Sequence, residues 1–169
     1  MRVDLHKLQR SIFEDDHRFK IVAAGRRFGK SYLAAVTLFV EAAKETKVLS
    51  TGEVFDLSLE EVYYIAPTYE QGKKILWPLL KSIGHDLIEK KYENEGYLIL
   101  KNGRRLSIKG ADRPNSLRGV GLSYVVLDEY AFMKEEVWDV IVEPALARSE
   151  GGALFIGTPD GRNHFYDMW

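Results

Sequence analysis

Apolar and polar residues change period several times along the chain, and each change marks an element. Leu5, Leu8, Ile12 and Phe13 fall on one helical face, which predicts a short amphipathic helix over 4–14. "RFKIVAA", 18–24, is a compact apolar run with strand character, and SYLAAVTLFVEAAKET, from Ser31 to about Thr46, reads as a mostly buried helix. "KVLSTGEVFDLSLE" has no clear period and reads as a linker or insertion. "VYYIAP", 62–67, predicts a second buried strand, stopped by Pro67. Helical spacing returns from Tyr69 to Ile83, with Ile75, Leu76, Leu79 and Leu80 facing inward. "YLILKNGRRLSIKG" places two alternating runs around Asn102-Gly103, the signature of a tight hairpin near 97–109. "LSYVVLDEY" gives a third buried strand over 123–127. Residues 134–142 read as helical, Pro144 begins or kinks a second short helix, and "GALFIGTPDG" supplies a fourth strand ending at Gly157. Strands alternating with helices predict an α/β fold whose mainly parallel central sheet is flanked by helices.

Composition narrows the chemistry. The 169 residues suffice for one domain with a sizeable core. No apolar run approaches the roughly 20 residues of a membrane helix, and "MRVDLHKLQRS" has no signal-peptide core. The absence of cysteine excludes disulfides, thiolate metal sites and thiol nucleophiles. His6, His17, His85 and His164 lack metal-binding spacing and read as surface or satisfied partly buried groups. With 24 Lys and Arg against 25 Asp and Glu, the formal net charge is -1, so any contact with nucleic acid must use a local patch.

The candidate chemistry begins at "AAGRRFGKSY". From Ala24 the pattern is Ala-x-x-x-x-Gly-Lys-Ser, with a predicted strand before it and a helix after it, as a P-loop requires. The loop residues Ala24, Gly25, Arg26, Arg27, Phe28 and Gly29 would turn backbone N–H groups toward phosphate oxygens at a helix N-terminus. Lys30 then meets the β- and γ-phosphates, and Ser31 offers a hydroxyl to Mg²⁺. Ala24 replaces the usual first glycine, and Gly25 is positioned to relieve the turn.

A second element completes the set. Asp128 ends the apolar run "YVVLD" and should emerge at the carboxyl edge of the sheet, where it would hold Mg²⁺ directly or through water. Glu129 is placed to orient and polarise an attacking water. Two solvated carboxylates capping a helix are the bland alternative. Paired with a P-loop, Asp128-Glu129 favours ATP hydrolysis over mere binding, a P-loop NTPase of the ASCE type. Arg26 and Arg27 sit where a guanidinium acts in cis on the γ-phosphate, although an ion pair with a nearby carboxylate suits Arg27 better. Tyr63, Tyr64, Trp77 and Trp138 read as packing residues. Lys101, Arg104, Arg105 and Lys109 cluster on the hairpin, as a solvated surface or as a contact for DNA or another subunit.

Gln9, GRRFGKS, YIAPTYEQGKK, SLRGVGLSYVVLDEY and FIGTPDGRNHFY, in this order, resemble the ATPase domain of the large terminase subunit of tailed bacteriophages. The likeness runs from about Leu5 to Trp169, and the arginine pair before Phe28 is typical of that family. It implies an ATP- and Mg²⁺-dependent motor that packages double-stranded DNA into a procapsid in the host cytoplasm. By the same likeness the partners are the portal protein, the small terminase subunit and further copies of the chain in a ring. Gln9 matches the adenine-recognising glutamine, with a polar surface residue as the alternative. Thr158, in Gly157-Thr158-Pro159, matches the coupling motif that senses the γ-phosphate, with a plain strand-to-loop turn as the alternative. Arg118 matches a finger supplied in trans, with a structural ion pair to a nearby Asp or Glu as the alternative for it and for Arg26. Residues 1–169 then read as the ATPase domain without the family's nuclease and without part of the ATPase's own C-terminal portion. A superfamily-2-type helicase or translocase core shares the general plan. A nucleotide-gated assembly module with little turnover is a further alternative.

Overall fold

The computed structural model describes residues 3–159 and 161–168; Asp160 and Trp169, both within the family-like stretch, lie outside the described residues. The sheet has seven strands in the order β1-β9-β8-β4-β7-β6-β5. These are β1 (Phe19–Ala23), β4 (Glu61–Ala66), β5 (Ile88–Tyr92), β6 (Tyr97–Leu100), β7 (Arg105–Gly110), β8 (Leu122–Asp128) and β9 (Gly152–Gly157). The strands from β1 to β7 in that order pair in parallel, and β6 and β5 extend the sheet antiparallel. The predicted α/β class therefore holds.

The apolar runs form strands because they are buried on both faces. Every residue of β8 and β9 is buried, so neither shows the alternation of a half-exposed strand. One face packs against α2 (Lys30–Ala43) and α3 (Tyr69–Ile83), through Leu38, Phe39, Leu76, Trp77 and Leu80. The other face packs Tyr63, Ile65, Val125, Leu127 and Phe155 against Trp138, Ile141 and Leu146. Those last three come from a wide-turned helical segment, Val137–Val142, and from α4 (Glu143–Ala147), with Pro144 in its first turn. The short α5 (His164–Asp167) adds Phe165.

Several expectations change. The apparent linker contains a second, two-stranded ribbon, β2 (Thr46–Val48) with β3 (Val54–Asp56), and α2 ends at Ala43. Ile75 is 37% exposed, and Trp77 takes the inward place beside Leu76. In α1 (Lys7–Glu14) Leu8 is 61% exposed, whereas polar Gln9 is buried. The hairpin stands as predicted, with Gly103 at φ 82° in its turn. Its cationic cluster loses one member. Arg104 is buried and donates to the carbonyls of Glu41, Lys44 and Glu60 and to the Ser123 hydroxyl. It thus satisfies carbonyls at the C-terminus of α2, a place where positive charge is favoured, and is unavailable to an external partner.

Candidate functional site

The site is assembled at the carboxyl edge of the parallel strands, where open α/β sheets bind ligands. β1 stops at Ala23, and the Ala24 N–H donates to the Gly157 carbonyl at 3.0 Å, so the loop leaves from a fixed point beside β9. Gly29 precedes α2 with φ 82°, and no side chain caps the helix start. A side chain there would be strained by the left-handed backbone, and its Cβ, within 2.5 Å of the Gln9 amide nitrogen, would push that amide off the loop. Gly25 plays no such part: a Cβ on it would meet nothing within 4 Å, and its φ is not left-handed. Arg27 takes the left-handed conformation instead, with φ 68°.

Lys30 crosses the loop. Its Nζ donates to the Ala24 carbonyl at 2.6 Å, to Thr158 Oγ1 at 3.0 Å and to the Gly25 carbonyl at 3.4 Å. Thr158 faces Glu129 in turn. Its N–H donates to Glu129 Oε2 at 3.1 Å and its hydroxyl to Oε1 at 3.4 Å. Glu129 has φ 53° and ψ 46°, an uncommon backbone for a non-glycine residue directly after a strand. Lys30, Thr158 and Glu129 thus form one hydrogen-bonded chain across three sheet-edge loops.

Asp128 is buried at the end of β8 and accepts a hydrogen bond from the Tyr64 hydroxyl on β4. Burial holds its carboxyl above the ordinary aspartate range, and the Glu129 charge adds to this; Tyr64 and Lys30 act in the opposite direction. The Tyr64 hydroxyl is pushed well up by burial and by the Asp128 charge. Tyr64 therefore joins the site as well as the core, which its apolar strand did not reveal.

The cleft around this chain encloses about 400 Å³ and is lined by Arg26, Lys30, Pro67, Gln71, Glu129, Phe132, Thr158 and Pro159. A larger cleft of about 530 Å³ lies at the opposite ends of the strands, with cations and carboxylates intermixed. It contains none of the loop residues, so we assign the chemistry to the smaller one. Arg26 lines that smaller cleft, while Arg27 is exposed with no carboxylate partner among the described residues, contrary to the ion pair expected for it. Arg118 is exposed and lines a separate depression with Leu117, Val120 and Val140.

Gln9 is placed differently from a free base-recognition group. Its Nε2 donates to the carbonyls of Phe28 at 3.2 Å and Gly29 at 3.1 Å, while its Oε1 accepts from the His6 N–H at 3.1 Å. The His6 ring caps α1 and its Nε2 lies 3.1 Å from the Phe28 carbonyl. His6 and Gln9 together form a capping box that clasps the loop. The spacing of cap and third helical residue is present in the sequence, with histidine in place of the usual hydroxyl residue.

The donor set suits a small hard cation. Ser31 has no side-chain partner among the described residues, Asp128 offers a desolvated carboxylate, and Mg²⁺ commonly takes one or two protein oxygens beside phosphates and water. No described cluster of three or more His, Asp or Glu offers a different metal site. No described helix is long and apolar enough to cross a membrane.

A family model, Terminase large subunit, T4likevirus-type, N-terminal, matches residues 21–169. The large terminase subunit of Thermus phage G20c is 27% identical over 186 aligned residues, covering 97% of this chain and 36% of that protein. The Thermus phage P74-26 large terminase ATPase domain superposes with a TM-score of 0.79 at 27% identity, covering 97% of this chain and 68% of that one. The large terminase of another thermophilic bacteriophage, solved in complex with ADP, has a TM-score of 0.64 at 19% identity, covering 90% of this chain and 38% of that one. The chain therefore spans little more than a third of the length of the curated relative, and the likeness to the ADP complex speaks to fold alone.

Proposed function

As this chain belongs to the T4-like-virus type of large terminase subunits, through their N-terminal region, we propose that it is an ATP-hydrolysing motor domain driving double-stranded DNA into a procapsid. The observation that carries the reading is the Lys30–Thr158–Glu129 chain at the mouth of the loop. In this reading residues 1–169 are part of an ATPase domain, working as a ring with the portal protein and small terminase subunit in the host cytoplasm.

The chemistry follows from what each group can exchange. The N-terminal amides of α2 and the loop N–H groups take up the β- and γ-phosphates, since that helix end favours negative charge. Lys30 gives up loop carbonyls and Thr158 for phosphate oxygens, a stronger charge-assisted pairing. Thr158, released from Lys30, then reports the γ-phosphate to the end of β9 and to the loop that follows. Glu129, held by the Thr158 N–H, accepts a proton from the attacking water. Arg26 is available in cis from the cleft wall. Ser31 and Asp128 would hold Mg²⁺, whose positive charge would offset that of the phosphates. Adenine recognition by Gln9 requires its amide to exchange the Phe28 and Gly29 carbonyls for the base. Nucleotide binding and loop release are then coupled.

Asp128→Asn should raise the Mg²⁺ concentration needed for half-maximal hydrolysis by roughly tenfold or more, about the cost of one weakened charged contact, leaving the fold intact because Tyr64 still has an acceptor. A hydrolysis titration against Mg²⁺ measures this, and an unchanged requirement would move the metal site elsewhere. The helicase alternative separates from the motor reading on duplex DNA. A packaging motor moves it intact, whereas a helicase parts the strands. An assembly module would bind ATP and scarcely turn it over.

A further inference from the structure

The sheet has one face that its second core does not reach. Residues of that core on the strands come from β4, β8 and β9, and none comes from β5, β6 or β7. On β7, Leu106 and Ile108 point into the first core, so Arg105, Ser107 and Lys109 stand on the opposite face. Leu98 and Leu100 of β6 likewise turn inward and leave Tyr97 and Ile99 on that face. The strand register adds Lys90 and Tyr92 of β5, opposite Ile99 and Tyr97.

This face is ordered as well as cationic. Lys90, Ile99 and Arg105 form one cross-strand row, which sets Lys90 and Arg105 about 10 Å apart at the backbone. Lys109 lies four residues along β7, about 13 Å further. Between the cations Tyr92 stacks on Tyr97 with centroids 4.4 Å apart, and the Arg105 guanidinium covers the other side of Tyr97 at 3.6 Å. Glu61 is the acidic neighbour that pairs with Arg105, at 3.4 Å, and it is largely shielded. In a chain of net charge -1 this is the kind of local patch that contact with a polyanion needs.

We infer that the open face of β5, β6 and β7 grips the phosphate backbone of duplex DNA, with Lys90, Arg105 and Lys109 as the contacts. The inference rests on the motor reading for its choice of DNA. The geometry decides between duplex and single strand. A single-strand binder stacks bases on free aromatic faces, but Tyr97 is sandwiched between Arg105 and Tyr92. The stack instead fixes the guanidinium, and the tyrosine hydroxyls supply further phosphate donors.

The test is the salt dependence of binding to a fluorescent duplex of about 30 base pairs, followed by anisotropy between about 50 and 200 mM salt. Lys90→Ala and Lys109→Ala should each flatten the slope of log K against log salt by about 0.9, and the triple change with Arg105→Ala by roughly 3. Affinity should fall alike on unrelated sequences. Lys81→Ala is the control, since Lys81 lies on α3 and pairs with Glu93. Lys90→Glu guards against misfolding, because Lys90 is exposed on an edge strand. Unchanged slopes in Lys90→Ala and Lys109→Ala, no duplex binding by the wild type, or tighter binding to a single strand of equal length would each overturn the inference. Mg-ATP binding is read separately. ATP binding without duplex binding sinks this inference alone, whereas duplex binding without ATP binding sinks the motor reading.

Discussion

Arg118→Ala is expected to lower the hydrolysis rate of the assembled protein by about 10³–10⁵-fold, the contribution of a guanidinium that meets γ-phosphate charge in the transition state. Nucleotide affinity should scarcely move. Arg118 is exposed and lines a depression that shares no residue with the nucleotide cleft, so a role in hydrolysis places it against the nucleotide of a neighbouring copy. An isolated chain should then bind ATP and hydrolyse it slowly, with a rate per subunit that rises with concentration or on assembly around DNA. Mixing Arg118→Ala with Glu129→Gln copies should restore part of the rate, because some interfaces pair an intact arginine with an intact base. Arg26→Ala supplies the contrast. Arg26 lines its own cleft, so its loss should depend far less on concentration. A monomer with full, concentration-independent turnover would transfer the role to Arg26.

Glu129→Gln should separate binding from chemistry, with turnover reduced by about 10²–10⁴-fold while Mg-ATP still binds. The amide oxygen can still accept from the Thr158 N–H, so the geometry of the chain survives. Glutamine also keeps the strained left-handed backbone at this position, so the rate change reports the lost base rather than relaxed strain. Single-turnover kinetics beside a binding titration resolves the two. An unchanged rate would assign water activation to another group.

The parts of this fold legible in sequence are those where one physical signal dominates. β4, β8 and β9 appear as unbroken apolar runs because both faces are covered, and Asn102-Gly103 announces its turn because few residues tolerate that backbone. β5 is not legible, because four of its five residues are exposed and "EKKY" carries no apolar alternation. Tertiary contacts decide the rest. Arg104 reads as a surface cation, yet its carbonyl partners Glu41 and Lys44 lie 63 and 60 residues away along the chain. Leu8 and Gln9 exchange the places that a helical face assigns them, because the loop draws the glutamine amide inward.

The loop, the acidic pair and Thr158 are visible in the sequence as separate motifs. Their hydrogen-bonded union, with Tyr64 and His6 added, depends on strand order and loop conformation that no local pattern encodes.

In the proposed motor, Lys30 is the fixed positive partner of a nucleotide's β- and γ-phosphates. The most direct measurement is the Kd for Mg-ATP of the wild type and of Lys30→Ala by calorimetry, with hydrolysis followed in the same samples. Loss of a charged hydrogen-bonding partner should weaken binding by about 10- to 150-fold and abolish turnover. Wild-type affinity and turnover in Lys30→Ala would mean that Lys30 does not hold the phosphates.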